Sequence, residues 1–180
     1  ITLDTNKKEI TLGETAILNA EITPSDSTDE ITWSSSDETV AKVSSAGKVT
    51  ALKIGTAVIT ATTTNGKSAS CTVTVVVPAT SIKLDKTVLY MNIGDNTALA
   101  ATLTPNNTTD AYEWSSSNEN IVVADNGNII ALSAGKATVT VETQRGVKAT
   151  CTVFVKENTP DAKADRDEKV LYGLVANAAY

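Results

Sequence analysis

The sequence has 180 residues and no histidine, which removes the usual general base, the commonest transition-metal ligand and any Ser-His-Asp or Cys-His arrangement. Its formal net charge of −6 argues against a nucleic-acid partner, which would need a basic surface. No apolar run approaches the roughly 18 residues that a membrane-spanning helix needs, so we expect neither nucleic acid nor membrane as a partner.

An internal repeat defines the fold unit. The stretch Trp33-Ser34-Ser35-Ser36 returns 81 positions later as Trp114-Ser115-Ser116-Ser117, and these are the only two tryptophans. A repeat of this period indicates two copies of one small domain, which we place at residues 1–77 and 78–157. Because the chain opens on Ile1 inside an expected strand, we expect a segment of a longer protein whose first strand is truncated.

Apolar alternation predicts the first long strand of each copy. After a turn at Gly13-Glu14, where glycine would take a positive φ, apolar and polar residues alternate from Thr15 to Pro24. This period of two predicts one half-buried strand with Leu18 facing the core. Leu99 holds the same place in the second copy.

The next strand carries the tryptophan, for which two interpretations compete. An exposed indole would stack on a sugar ring or a partner, whereas a buried one would fill the centre of a sandwich whose other core residues are small. Because the inward neighbours are alanine, valine and isoleucine, we predict that Trp33 and Trp114 are buried core residues. Trp33→Ala would then cost on the order of 3–5 kcal/mol.

The later strands of each copy repeat the same pattern. A short edge segment at residues 40–43 precedes two alternating strands, and Asn126-Gly127 predicts a hairpin turn because both residues tolerate a positive φ. Ile59 and Val139 face inward on the first of these strands, and Cys71 and Cys151 on the second. We predict buried free thiols that act as small hydrophobic groups, with neither a disulfide nor a nucleophile.

Short strands with regular turns predict an all-β fold of two tandem immunoglobulin-like sandwiches. The order of motifs resembles the bacterial immunoglobulin-like group 2 domain over about residues 1–156. The motifs are Gly13-Glu14, Pro24, Trp33-Ser34-Ser35-Ser36, Val40-Ala41-Lys42-Val43, Gly47-Lys48-Val49-Thr50-Ala51, Gly55-Thr56-Ala57 and Cys71-Thr72-Val73. The second copy departs from this order at Ile121-Val122-Val123.

This resemblance implies a function outside the cell. The family occurs in tandem on bacterial surface and secreted proteins, including intimin- and invasin-like adhesins, beside polysaccharide-degrading enzymes, and in phage tail and capsid proteins. It implies a non-catalytic spacer or adhesion module without cofactor or metal. The alternatives are a virion decoration or tail domain and a module that binds carbohydrate or a host protein. Such a binding module would need an exposed aromatic or apolar patch, whereas we expect outward faces of Thr, Ser, Asn, Lys and Glu.

The junction and the C-terminal tail lie outside the repeated motifs. The stretch from Val75 to Thr80 joins the copies across Pro78 with little slack, which predicts a semi-rigid linker and an elongated pair. Residues 158–180 form a separate tail. Within it, residues 161–180 carry apolar side chains at helical spacing, so the tail is a helix that docks on another subunit or domain, a disordered tail, or the start of a further domain.

Two groups of acidic loop residues raise the question of calcium. They comprise Asp26, Asp29 and Glu30 in one loop and Asp37 with Glu38 in another. Neither has the ligand spacing of a calcium-binding loop such as the EF-hand. We therefore interpret them as solvated charges.

Overall fold

The computed structural model describes residues 1–157, and within them every regular element is a β-strand. The predicted helical tail at 161–180 lies outside the described residues. The strands are β1 Thr2–Leu3, β2 Lys7–Thr11, β3 Thr15–Ile17, β4 Ala20–Glu21, β5 Ile31–Ser35, β6 Ala41–Val43, β7 Lys48–Ala51, β8 Gly55–Thr63, β9 Ser68–Val76, β10 Ser81–Leu84, β11 Val88–Asn92, β12 Asn96–Ala98, β13 Ala101–Thr104, β14 Tyr112–Ser116, β15 Val122–Asp125, β16 Asn128–Ala131, β17 Gly135–Thr143 and β18 Lys148–Lys156.

Each repeat forms a β-sandwich of the same topology. In the first repeat, a four-stranded sheet in the order β2-β9-β8-β5 lies opposite a three-stranded sheet in the order β3-β7-β6, and β1 pairs with β4. The second repeat has the sheets β11-β18-β17-β14, β12-β16-β15 and β10-β13. The pairs β2–β9 and β11–β18 are parallel. The fold is therefore the all-β sandwich that the strand pattern predicts.

Two compact units divide the chain. The first unit holds Ile1–Ser81 together with Leu103–Ala111, and the second holds Ile82–Thr102 together with the described residues from Tyr112 onward. Segment 103–111 lies in the first unit because its backbone and side chains bind the residues that follow β9. The Thr109 N–H donates to the Val77 carbonyl oxygen at 2.9 Å, and the Ala79 N–H donates to Asp110 Oδ2 at 3.0 Å.

The predicted single strand from Thr15 to Pro24 is wrong, because the structure divides it into β3 and β4. β3 pairs with β7 in the three-stranded sheet, whereas β4 pairs with β1. Leu18 lies where the chain passes from one sheet to the other, and its N–H donates to the Gly47 carbonyl oxygen at 3.0 Å. The alternation of side chains continues through this crossing although the backbone changes partners, and for that reason the pattern alone does not show the break.

Two predicted turns are confirmed by their backbone angles. Gly13 has a φ of 85°, and Asn126 and Gly127 have φ values of 49° and 82°. The Asn-Gly pair closes the β15–β16 hairpin, in which Asp125 pairs with Asn128. These positions need residues that adopt the left-handed region at low cost.

Candidate interaction surface

The predicted core residues lie in the interior of the two sandwiches, apart from the tryptophans. Ile59 and Cys71 are fully enclosed in the first repeat, as are Val139 and Cys151 in the second. Leu18 and Leu99 are also buried and complete the two core clusters. Their side chains are surrounded by protein and are not available to a ligand.

The tryptophans lie at the edge of the core, not at its centre. Trp33 and Trp114 are partly buried and pack against their core clusters. Their strands, β5 and β14, are the outermost strands of the four-stranded sheets, so one side of each indole remains open. A Cβ added to Gly47 would come within 2.9 Å of Trp33 Cζ2. The indole therefore closes one side of the sandwich by lying on a glycine.

The two cysteines are free, buried thiols. Desolvation raises the pKa of both Cys71 and Cys151 above the ordinary value of 9.0. A thiol that resists ionisation is a poor nucleophile and a poor metal ligand. Their environment is that of small hydrophobic core residues.

Two of the acidic loop residues, Asp29 and Asp37, accept hydrogen bonds from other residues of the first repeat. Asp29 Oδ1 accepts from the Thr64 hydroxyl and Oδ2 from the Asn65 amide, both at 2.7 Å. Asp37 Oδ1 accepts from the hydroxyl and the N–H of Thr39 at 2.6 and 2.9 Å, which lowers the pKa of Asp37 below its ordinary 3.8. These carboxylates fasten loops to neighbouring residues. Within residues 1–157, no three acidic or cysteine side chains come together as metal ligands.

An exposed aromatic stack lies on the outer face of the second repeat. Tyr90 on β11 is 73% exposed, and its ring lies 5.4 Å from that of Phe154 on β18 at an interplanar angle of 15°. Lys136 lies on β17, and its Nζ is 5.6 Å from the centre of the Phe154 ring. Three adjacent strands thus present a cation and two rings in one row, since Tyr90 pairs with Phe154 and Phe154 with Lys136. We call Lys136, Phe154 and Tyr90 the aromatic row.

The aromatic row corrects the expectation that the outward faces are purely polar. In the first repeat, the equivalent row is Glu9, Thr74 and Thr56. Because the same sandwich forms with these polar residues, the fold does not require the aromatic ones. The sequence signal was present: in Val88–Asn92 the buried Leu89 and Met91 alternate with the exposed Val88 and Tyr90.

The described residues 1–157 contain no helix long and apolar enough to cross a membrane. The sandwiches belong to the immunoglobulin-like class of all-β domains. The profile of the family "Bacterial Ig-like domain (group 2)" matches residues 1–73 and again 78–153. The chain therefore belongs to this family as a tandem pair.

Three similar proteins differ in the share of their length that this chain covers. An uncharacterized protein of Clostridium acetobutylicum is 40% identical over 162 residues, which cover 86% of this chain and 17% of that protein. An alpha-L-arabinofuranosidase of Bifidobacterium longum is 38% identical over 129 residues, covering 67% of this chain and 12% of the enzyme. An Ig-like virion protein of Serratia phage KSP90 is 32% identical over 155 residues, covering 81% of this chain and 60% of that protein. The chain thus spans a small part of the first two and more than half of the third.

Proposed function

We propose that the chain is a non-catalytic module that lies outside the cell in a bacterial surface or secreted multidomain protein. There it holds other domains at a distance and carries tension between them. Membership of the bacterial Ig-like group 2 family supports this class of function. The similarity to short regions of much longer proteins supports a role as an accessory segment.

The observation that carries this proposal is the parallel pairing of β2 with β9, the last strand of the first repeat, and of β11 with β18, the last strand of the second. In the first repeat, Lys7–Thr11 of β2 pair with Thr72–Val76 of β9. Hydrogen bonds continue beyond both ends of the ladder, from Thr72 N–H to the Asn6 carbonyl oxygen at 2.9 Å and from Leu12 N–H to the Val76 carbonyl oxygen at 2.8 Å.

This geometry distributes tension over many hydrogen bonds. After the short β1–β4 pair, the chain enters β2 at its N-terminal end, and it leaves the domain at the C-terminal end of β9. Once β1 has been pulled from β4, tension therefore pulls β2 and β9 in opposite directions along their axes. All bonds of the ladder are then loaded together and resist as a group. In an antiparallel hairpin pulled at its open end, the bonds break one after another. β11 and β18 form the same parallel ladder in the second repeat.

The arrangement of polar groups supports a non-catalytic role. The carboxylates of Asp29 and Asp37 are held by their own loops, and both thiols are buried. Catalysis would require a nucleophile or a general base that converges with a binding cleft. In the described residues the polar side chains instead fasten turns and strands.

The direction of pulling tests the proposal within one domain. Single-molecule handles attached at Lys86→Cys and Glu157→Cys load β11 against β18 in shear. Handles at Ala134→Cys and Glu157→Cys load the open end of the β17–β18 hairpin, because Gly135 pairs with Val155. We expect the unfolding force to be several-fold higher with the first pair. Equal forces in the two directions would refute the load-bearing role.

A second candidate function is that of an Ig-like domain of a phage virion protein. It is favoured by the Serratia phage relative, of which this chain covers 60%. The coding region on either side of this chain distinguishes the two candidates. Neighbouring capsid or tail genes would favour the virion, whereas a reading frame that continues into wall-binding or enzymatic domains would favour the surface spacer.

A further inference from the structure

Strand β11 is an uncharged edge strand, which distinguishes it from its counterpart in the first repeat. It is the outermost strand of its sheet and carries the sequence Val88-Leu89-Tyr90-Met91-Asn92. Val88 and Tyr90 are 44% and 73% exposed. The counterpart β2 carries the charged side chains Lys7, Lys8 and Glu9. Native sheets protect exposed edges with such charges, and an exposed apolar edge is a template for pairing with another chain.

The backbone of β11 offers hydrogen-bonding groups on its open side. Thr152 N–H donates to the Thr87 carbonyl oxygen, and Ile93 N–H donates to that of Lys156. Because alternate residues of a parallel strand bond to the same neighbour, the N–H and C=O groups of Val88 and Tyr90 point away from β18. The outward groups of Asn92 are bonded to Asp95. Two residues therefore present two donors and two acceptors.

We infer that β11 pairs antiparallel with β11 of a second copy of this chain, about a two-fold axis at Leu89. In this register, Val88 of each copy faces Tyr90 of the other. Residues that face each other as a hydrogen-bonded pair exchange two bonds. Four backbone hydrogen bonds form, and they use all the open groups of Val88 and Tyr90. The two four-stranded sheets join into one sheet of eight strands.

The side chains fit the same register. One face of the Tyr90 ring is covered by Phe154, and the other face points away from Phe154 towards the open edge. The second copy's Val88 would cover this open face, forming an aromatic pair with a β-branched residue that favours antiparallel pairing. The aromatic row is thereby extended across the interface from each side.

The first repeat differs from the second at the two-fold axis of this pairing. Lys8 occupies the position of Leu89, so two Lys8 side chains would meet at the two-fold axis. Residues that face each other there form a non-hydrogen-bonded pair with Cα atoms about 4.5 Å apart, and like charges in that position are destabilising. We therefore place the interface in the second repeat, where the uncharged Leu89 lies at the axis. This inference does not depend on the proposed load-bearing function.

The strength of the association follows from its size. A five-residue strand buries much less surface than the roughly 1,200–2,000 Å² of a stable protein complex. We therefore expect a weak dimer that forms at high protein concentration, or where copies are held close together on one surface. Because β11 carries no charge, added salt screens no ion pair of this strand and acts only on the repulsion between two chains of net charge −6.

Sedimentation equilibrium of the whole chain tests this inference. Between about 10 µM and 1 mM protein, we expect the average mass to rise from the 18.7 kDa of one chain towards twice that value. Tyr90→Lys removes the exposed ring without disturbing the core and should abolish the rise. Tyr112→Lys makes the same charge change on β14 at the opposite edge of the sheet and should leave it intact. Thermal melting confirms that both variants are folded.

Disulfide crosslinking tests the register. A mixture of a Val88→Cys chain and a Tyr90→Cys chain should form a crosslinked dimer faster than either chain alone, since a directly facing pair lies within the Cα separation of a disulfide. A constant mass for the unchanged chain would overturn the inference. It would also fall if association survived Tyr90→Lys, or if Tyr112→Lys abolished it equally, since another surface would then be responsible.

Discussion

Gly47 allows the packing of the first sandwich to be tested by one added methyl group. Its φ is 72°, and a Cβ at this position would overlap the Leu18 carbonyl oxygen and come within 2.9 Å of Trp33 Cζ2. Its own carbonyl oxygen accepts the Leu18 N–H at 3.0 Å. Gly66 has a similar φ of 82°, but a Cβ there would meet nothing within 4 Å. Gly66→Ala is therefore a matched control for Gly47→Ala.

The two substitutions separate backbone strain from steric overlap. An alanine in the left-handed region costs roughly 1–2 kcal/mol, and the stiffer unfolded chain offsets about 0.4–1 kcal/mol of this cost. Gly66→Ala should therefore destabilise the first domain by about 1 kcal/mol. Gly47→Ala adds about 1–3 kcal/mol of overpacking, because Trp33 and the Leu18 carbonyl must both move. The difference between the two variants in unfolding free energy, about 1–3 kcal/mol, is large for a domain whose total stability is about 4–12 kcal/mol.

Urea unfolding in a Trp114→Phe background measures both values, because Trp33 is then the only indole and its fluorescence reports on the first domain. We expect a lower unfolding midpoint for Gly47→Ala than for Gly66→Ala, with unchanged urea dependence of the unfolding free energy. Equal losses would contradict the close packing of the indole on Gly47.

Three further predictions concern the core, a thiol and a carboxylate. Trp33→Ala should lower the free energy of unfolding by about 3 kcal/mol, the lower end of the range for a large aromatic residue, because the indole is only partly buried. A loss of less than about 1 kcal/mol in thermal or urea unfolding would show that the indole does not close the core. Burial raises the pKa of the Cys71 thiol, so a thiol-specific reagent should label it only in proportion to the unfolded fraction, and rapid labelling of the folded chain would contradict this. The Thr39 bonds lower the pKa of Asp37 below 3.8, so its ionised form stabilises the fold above pH ~4 and this contribution is lost as the pH falls through the lowered value. Asp37→Asn reproduces Asn118 of the second repeat, whose Oδ1 accepts the Asn120 N–H at 3.0 Å. This variant should make the urea midpoint of the first domain less dependent on pH between about 4 and 2. An unchanged pH dependence would refute this assignment.

The class of fold could be predicted from local patterns. Alternation around Leu18 and Ile59 identifies inward faces, and Asn126-Gly127 identifies a hairpin, because both signals depend on neighbouring residues alone. The parallel pairing of β2 with β9 could not be predicted in this way, since it joins residues about 65 positions apart through backbone groups that every residue carries. For the same reason, the local pattern does not show that the chain passes from one sheet to the other at Leu18.

The partial exposure of the tryptophans and the existence of the aromatic row could be recognised only once the order of the strands was known. Composition indicates that Trp33 is a core residue, but only the sheet order shows that β5 is an edge strand and leaves the indole partly open. Tyr90 and Phe154 are 64 residues apart and become neighbours through the β11–β18 register. Each looks like an isolated surface aromatic in the sequence, and for that reason the outward faces were expected to be polar.

The central claim, that each domain resists tension through its parallel ladder, is tested most directly by removing one bond of that ladder. The end bonds of β2 and the alternation of a parallel strand place the Lys8 N–H towards β9, and Lys8→Pro deletes it while leaving the core in place. Ile59→Val is the reference, because it removes a buried methylene for about 1 kcal/mol without touching the ladder.

The measurement is the unfolding force of the first domain when the chain is pulled from its ends, with the unaltered second domain in the same molecule as the standard. If the ladder carries the load, Lys8→Pro lowers this force far more than Ile59→Val does, even after both are scaled by their loss of equilibrium stability. If the two variants lower the force only in proportion to that loss, the ladder has no special role and the load-bearing account is wrong.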